Sequence, residues 1–421
     1  MDYPDGYVQP LILHALGSFL QVPYDLVDSI EQSAATSRRF LQIRAYESID
    51  FEHAMQHPNT SLVSAYVIRK ALIRKHYLSN TVSSWLVKHP GSVLASSFKP
   101  SVHFELDYAE FLDEALVDAW DLNESMSRNE DSTSDVPREW WILKPGMSDG
   151  GNGIRLFSSM EELQAIFEEW EGTSEDEEDE EDGEADGDAQ ELPASASKTG
   201  STDATMTSQL RHFIAQPYID PPLLLKAHDQ RKFHIRTYVL ASGALKVFVY
   251  REMLALFAAK SYQSPGSSSA DSELDLGQHL TNTCFQDEHT RSSSVQPFWS
   301  LAEDGLPSDW QARVFSQICE TTGEIFEAAA REQMVHFQAI PNAFEVFGVD
   351  FLVDANLNVW LLELNAFPDF KQTGRDLQSS IVGGLFDEVI KVAVGPFFGN
   401  NQHQGGTERM PLVRDIDLGR R

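Results

Sequence analysis

The chain has 421 residues, enough for two or three domains of ordinary size. Its composition, 42% hydrophobic and 10% aromatic, excludes wholesale disorder, and with only Cys284 and Cys319 present a disulfide framework or Cys-rich zinc module is excluded too. Lys+Arg 32 against Asp+Glu 65 gives a formal net charge of −33, so neither direct nucleic-acid binding nor attraction to an anionic membrane is expected.

No apolar run reaches the ~20 residues of a membrane span. The short stretch Leu11-Ile12-Leu13 follows Asp2 and Asp5 rather than basic residues, which argues against a secretory signal. A soluble, cytoplasmic protein is expected. Ser61–Leu78 reads as a helix carrying Arg69, Lys70, Arg74 and Lys75. Trp140–Lys144 is apolar and strand-like. Pro145–Gly153 is a glycine-rich loop, and Ile154–Phe157 is a second strand. Ser159 with Glu162 three residues later predicts a capping box and a helix to about Glu171. Twelve acidic residues then crowd Glu175–Glu191, and a Ser/Thr/Ala-rich stretch follows. Such a segment repels itself and has little to bury, so 172–208 is expected to be a disordered insertion.

Phe213–Ile219 and Phe233–Leu240 have strand patterns. The turn signal Ser242-Gly243 predicts a hairpin to Leu245–Tyr250. Gln263–Leu276 and Gln286–Pro297 are polar loops, Asp309–Val335 is a long helix, and Phe344–Val353 and Val359–Leu364 are strands. Leu377–Val394 is a closing helix, and the tail beyond Gly399 reads as unstructured. Mixed strands and helices imply an α/β or α+β architecture.

The hairpin at 348–365 carries the strongest chemistry. Centred on Asn356-Leu357, it sets Val353 opposite Trp360 and Asp350 opposite Glu363. Directly opposed side chains share one face of a sheet, ~5 Å apart. Asn365, two residues beyond Glu363, projects from the same face. Two carboxylates and an amide oxygen suit Mg²⁺, a hard cation that completes its shell with phosphate and water. The alternative is that both acids pair with cations such as Lys371 or Arg375.

Elsewhere, four glycines between Lys144 and Gly153 let backbone N–H groups approach an anion. Lys232, His234 and Arg236 alternate along one strand and share a face, and Arg251 ends the next strand. Such a cluster fits phosphates or a carboxylate, or simply an exposed strand face. Gln216-Pro-Tyr-Ile219 ends a strand whose backbone could read an adenine edge, and His279-Leu-Thr-Asn282 either meets a ligand or caps a turn.

In this order the motifs resemble the tubulin–tyrosine ligase family. The matching pieces are Tyr66–Lys75, Trp141–Pro145, Gly151–Ile154, Gln216–Leu224, Arg231–Val239, His279–Asn282 and Phe347–Asn365, and the resemblance spans about 60–395. It implies an ATP-grasp fold, with the nucleotide held between two α+β subdomains. The expected division is a small N-terminal domain over 1–66, a central subdomain over 67–215 carrying the insertion, a C-terminal subdomain over 216–398 and a flexible tail over 399–421. The resemblance also implies a ligase that uses ATP and Mg²⁺ to activate a carboxylate as an acyl phosphate, which an amine then attacks.

By the same resemblance Asp350, Glu363 and Asn365 would bind Mg²⁺, with Glu363 also catalytic. Lys144 and the loop through Gly151 and Gly153 would hold phosphates. Gln216, Tyr218 and Ile219 would line the adenine pocket beside Lys232, and Thr281 and Asn282 would complete the nucleotide site. Arg236 and Arg251 would face the γ-phosphate and the amino-acid substrate. The family usually has Asp where this chain has His234, thought to contact the ribose, and Lys or Arg at Gly150, so reduced turnover is one implied outcome. The implied partners are ATP, an amino acid and a protein acceptor, with tubulin first. Basic residues 69, 70, 74 and 75 would steer its acidic tails. Some fungal relatives point instead to a nucleotide-binding scaffold among mRNA-decay proteins of processing bodies.

Overall fold

A computed structural model describes residues 6–27, 30, 38–131, 137–146, 151–178, 212–267, 274–281, 286, 294–302 and 305–419, with only the backbone described over 172–178. Among these residues no helix is long and apolar enough to cross a membrane. The strands are β1 (Phe40–Gln42), β2 (Ser61–Val63), β3 (Val102–Glu105), β4 (Trp141–Pro145), β5 (Arg155–Phe157), β6 (His212–Pro217), β7 (Arg231–Ser242), β8 (Lys246–Val249), β9 (Leu254–Ser261), β10 (Val295–Pro297), β11 (Phe344–Val353), β12 (Val359–Ala366) and β13 (Leu412–Asp415). The chain forms two compact units, one of Met1–Lys99, Asp220–Ser264 and Asp275–Arg421, the other of Pro100–Ile219 and Pro265–Leu274.

The first unit is built on a seven-stranded sheet, with the path β10-β9-β7-β11-β12 and with β8 on β7 and β13 on β8. Strand β7 explains how both faces are used. Phe233, Ile235, Val239 and Ala241 alternate into one core, where the helix Trp310–Glu332 contributes Val314, Ile318, Ile325 and Phe326 at helical spacing. On the opposite face Tyr238 and Leu240 enter a second core with Ile12, Leu16, Leu385 and Val389. The same face nearer the start of the strand carries Lys232, His234 and Arg236, all buried. One face of β7 is therefore apolar along half its length and ionisable along the other.

The second unit is a four-stranded antiparallel sheet ordered β3-β6-β4-β5. Trp141 and Leu143 of β4 point into a core with Phe104, Phe213, Leu122, Phe167 and Trp170, whereas Ile142 and Lys144 face the other way. The capping box forms: Glu162 N–H donates to Ser159 Oγ at 3.1 Å, and the Glu162 carboxylate accepts from Ser158 N–H at 2.6 Å. Its helix, Met160–Glu178, outruns the expected end, so the first residues of the acidic segment continue as helix. The rest of 172–208 lies outside the described residues.

Three expectations change. Ser61–Leu78 is not one helix. Ser61–Val63 is a buried strand parallel to β1, and the helices run Lys70–Ile73 and Lys75–Lys88. The burial of all three strand residues suits a two-sided apolar environment rather than a helix face. The tail also acquires structure. Strand β13 pairs antiparallel with β8, Ile416 N–H donates to Leu245 C=O at 2.9 Å, and Arg414 binds Glu327. The strand passes close over Gly323, where a Cβ would sit 3.4 Å from Val413 C=O. Third, the hairpin is not in one register throughout.

Candidate functional site

Gly348 faces Asn365 and Asp350 faces Glu363, as the spacing predicts, but Phe351 then faces Leu361, Leu352 faces Trp360 and Val353 faces Val359. A β-bulge at this step leaves Leu362 as the extra residue on β12, so Val353 does not meet Trp360. The carboxylate pair survives because the turn residue count and the bulge compensate by one position.

Strand β11 also pairs with β7, which sets Arg236 opposite Asp350. Arg236, Asp350 and Glu363 thus form one row across three neighbouring strands, on a single face. Arg236 Nε donates to Asp350 Oδ1 at 2.5 Å and Nη2 to Oδ2 at 3.0 Å. Lys75 Nζ lies 3.4 Å from Glu363 Oε2, and Asn365 Nδ2 donates to Glu363 Oε1 at 3.2 Å. The acids therefore do pair with cations, Asp350 with Arg236 and Glu363 with Lys75.

Burial works against the Arg236 charge, yet the charge and hydrogen bonds of Asp350 hold its pKa above the ordinary value. His234 is the reverse case. Burial lowers its pKa, and the nearby charges of Arg236 and Lys232 add to that against the pull of Asp350. A neutral imidazole results. Its Nδ1 hydrogen-bonds the Thr281 hydroxyl at 2.6 Å, and its Nε2, 3.6 Å from Asp350 Oδ1, is buried without a hydrogen bond. His279 follows the same logic, pushed down to about 4 by burial and by Lys232. Asn282 and Gly150 lie outside the described residues.

The donor set fits Mg²⁺. Among the described residues no group of three or more His, Cys, Asp or Glu side chains is placed to hold a metal ion. Two carboxylates and the Asn365 amide oxygen match an ion that takes few protein ligands. A carboxylate offers about four lone-pair positions, so the guanidinium bonds leave Asp350 capable of ligation.

The second unit holds its own group. Lys144 Nζ donates to Gln216 Oε1 at 3.0 Å, from adjacent strands and the same face. Tyr218 N–H donates to Trp140 C=O at 2.8 Å, which fixes the backbone leading to Ile219. Gly151 and Gly153 have φ of 87° and 67°, a conformation that favours glycine. Arg155 faces Leu143 across β4 and β5, and its guanidinium lies over Trp170 at 5.6 Å, on the core side away from Lys144.

Arg251 stands apart from the row. Its guanidinium lies over Trp299 at 4.4 Å and Phe315 at 5.2 Å, beside the long helix. Of the four basic residues expected to steer acidic tails, Arg69 is buried. Its Nε lies 2.8 Å from Glu345 Oε1, and its guanidinium stacks 3.7 Å over Tyr46 and 5.6 Å from the Phe367 ring just beyond Asn365. Lys75 faces Glu363. Of the four, only Lys70 is exposed. The sequence signal for Lys75 was its place in the Tyr66–Lys75 motif, not its charge.

The tubulin-tyrosine ligase family pattern matches residues 42–402. A probable tubulin–tyrosine ligase of Schizosaccharomyces pombe is 42% identical over 420 residues, covering 99% of this chain and 96% of its own length. The probable tubulin–tyrosine ligase PBY1 of Saccharomyces cerevisiae is 42% identical over 98% of this chain, which spans only 54% of that protein. The solved C-terminal domain of K. lactis Pby1, described as an ATP-grasp enzyme interacting with the mRNA decapping enzyme Dcp2, matches with a TM-score of 0.69 and 35% identity over 99% of this chain and 98% of that one.

Proposed function

This chain belongs to the tubulin–tyrosine ligase family and has the ATP-grasp fold, and from that premise we propose that it is an ATP- and Mg²⁺-dependent carboxylate–amine ligase that joins an amino acid to a protein. The observation that carries this reading is the row Arg236–Asp350–Glu363 flanked by Lys75. In the reaction a carboxylate oxygen attacks the γ-phosphorus, the bond to ADP breaks and an acyl phosphate forms. An amine nitrogen then attacks the acyl carbon, the acyl C–O bond to phosphate breaks, and the nitrogen gives up a proton as phosphate leaves and the amide forms.

Asp350, Glu363 and Asn365 would hold Mg²⁺, which when bound neutralises phosphoryl charge. Arg236, held protonated by Asp350, adds a fixed positive charge on the same face. Lys75, beside Glu363, adds a second. Lys144, Gly151 and Gly153 would take phosphate oxygens, and Gln216, Tyr218 and Ile219 the base. Neutral His234 would offer the sugar hydrogen bonds without the negative charge usual at that position.

The test is incubation of the purified protein with Mg²⁺-ATP, labelled amino acids and acceptor protein, tubulin first. ATP-dependent label in protein that disappears in Glu363→Gln is the expected result. No incorporation into any acceptor, with ATP still bound, would favour the second reading: a nucleotide-binding component of mRNA-decay assemblies. That reading is supported by the Dcp2 interaction of the K. lactis relative and by the neutral His234.

A further inference from the structure

The segment from Tyr108 to Asp121 in the second unit is anchored from below and uncovered above. Leu112, Leu116, Ala119 and Leu122 are buried in its core. In the same stretch Tyr108, Phe111, Val117 and Trp120 are 61%, 44%, 65% and 75% exposed. Tyr108 and Phe111 touch edge-on, with ring centroids 6.2 Å apart. Four large apolar side chains held outward within thirteen residues are uncommon on a surface with no partner, and Trp and Tyr are the side chains that anchor interfaces.

Charge says what covers them. Glu110, Asp113, Glu114 and Asp118 are exposed among the four. Between Lys99 and Arg128 the chain has eight Asp and Glu residues and no Lys or Arg. Arg128 itself is held by Glu139 through two 2.9 Å bonds. Nucleic acid, an anionic membrane, an acidic tubulin tail and a second copy of the same face would all be repelled. We propose that this surface docks a basic, amphipathic segment of a protein partner, whose Lys or Arg side chains meet the carboxylates while apolar side chains pack on Trp120, Val117 and the Tyr108–Phe111 pair. Within the second unit this segment packs on the core face of the sheet, opposite Lys144 and Gln216, so its role stands whether or not the chain is an active ligase.

The test pans a random dodecapeptide display library against the full chain, with Trp120→Ala protein as counter-selection. Peptides that need Trp120 are expected to combine Lys or Arg with Leu, Phe or Trp. A synthetic copy should bind about tenfold more weakly to Trp120→Ala and to Asp113→Lys/Glu114→Lys, and more weakly as salt rises. It should also protect Trp120 and Tyr108 from hydroxyl-radical oxidation. Trp120-dependent peptides that are neutral or acidic would overturn the proposal. So would binding that protects only the acidic stretch 175–191 and ignores Trp120. Trp120-dependent dimerisation in sedimentation would overturn it in favour of self-association. Both variants change exposed side chains, and unchanged circular dichroism separates lost docking from lost folding.

Discussion

Two sets of carboxylates meet opposite treatment in this protein. In the first unit Asp350 and Glu363 are set in a sheet, and each has a cation within 3.4 Å. In the second, Glu110, Asp113, Glu114 and Asp118 stand in solvent along a stretch with no Lys or Arg. Cations stand beside the two acids of the sheet, whereas this exposed set is left to solvent or to a partner. The physical reason is desolvation: a buried charge needs its counter-charge in the fold, whereas water screens an exposed one.

The comparison breaks most sharply at Glu363. Glu363→Gln should cut ligation by about 10³-fold while leaving the melting temperature nearly unchanged, because the amide keeps the shape and Lys75 remains partly exposed. An unchanged rate would remove Glu363 from the chemistry. Asp350→Ala should cost about 3–5 kcal/mol in urea unfolding, since it strands the buried Arg236 guanidinium. A cost below ~1 kcal/mol would mean that water already serves Arg236. Lys75→Met should weaken nucleotide binding about tenfold by titration calorimetry, with little loss of stability.

A pH effect sharpens the contrast further. Burial lifts the Glu345 carboxyl to about 8 in spite of Arg69, against an ordinary value of 4.5. The folded state therefore binds the extra proton between those values, and this contribution to stability is present below pH 4.5 and lost as pH rises through about 8. Glu345→Gln should flatten that part of the stability–pH curve; an unchanged slope would place the titration elsewhere. The smallest effect belongs to the exposed set. Asp113→Lys/Glu114→Lys should change stability by no more than about 0.5 kcal/mol.

What the sequence made legible was local. Alternation along β7 and β11 placed Lys232, His234 and Arg236 on one face, and Asp350 opposite Glu363, because the two-residue period of a strand is strict. The bulge at Leu362 left no trace, since Leu361, Leu362 and Leu364 are apolar and satisfy either register. Lys75 and Glu363 are far apart in the chain, and no periodicity reports such a contact. Arg69 looked like a surface cation because its partner Glu345 lies equally far along. Arg251 was read from its place at a strand end, where the rotamer that stacks it on Trp299 is invisible.

Strand β13 has a consequence for anyone who handles this protein. It covers the open side of β8, whose N–H and C=O groups would otherwise face solvent. Leu412–Asp415 is thus a seal on the sheet, threaded over Gly323 and pinned by Arg414 to Glu327. A bulky fusion placed at these residues, or a cut before them, would bare a ready template for strand pairing between molecules. The loss would be felt as clumping in solution before it was felt at the row of charges on β7, β11 and β12.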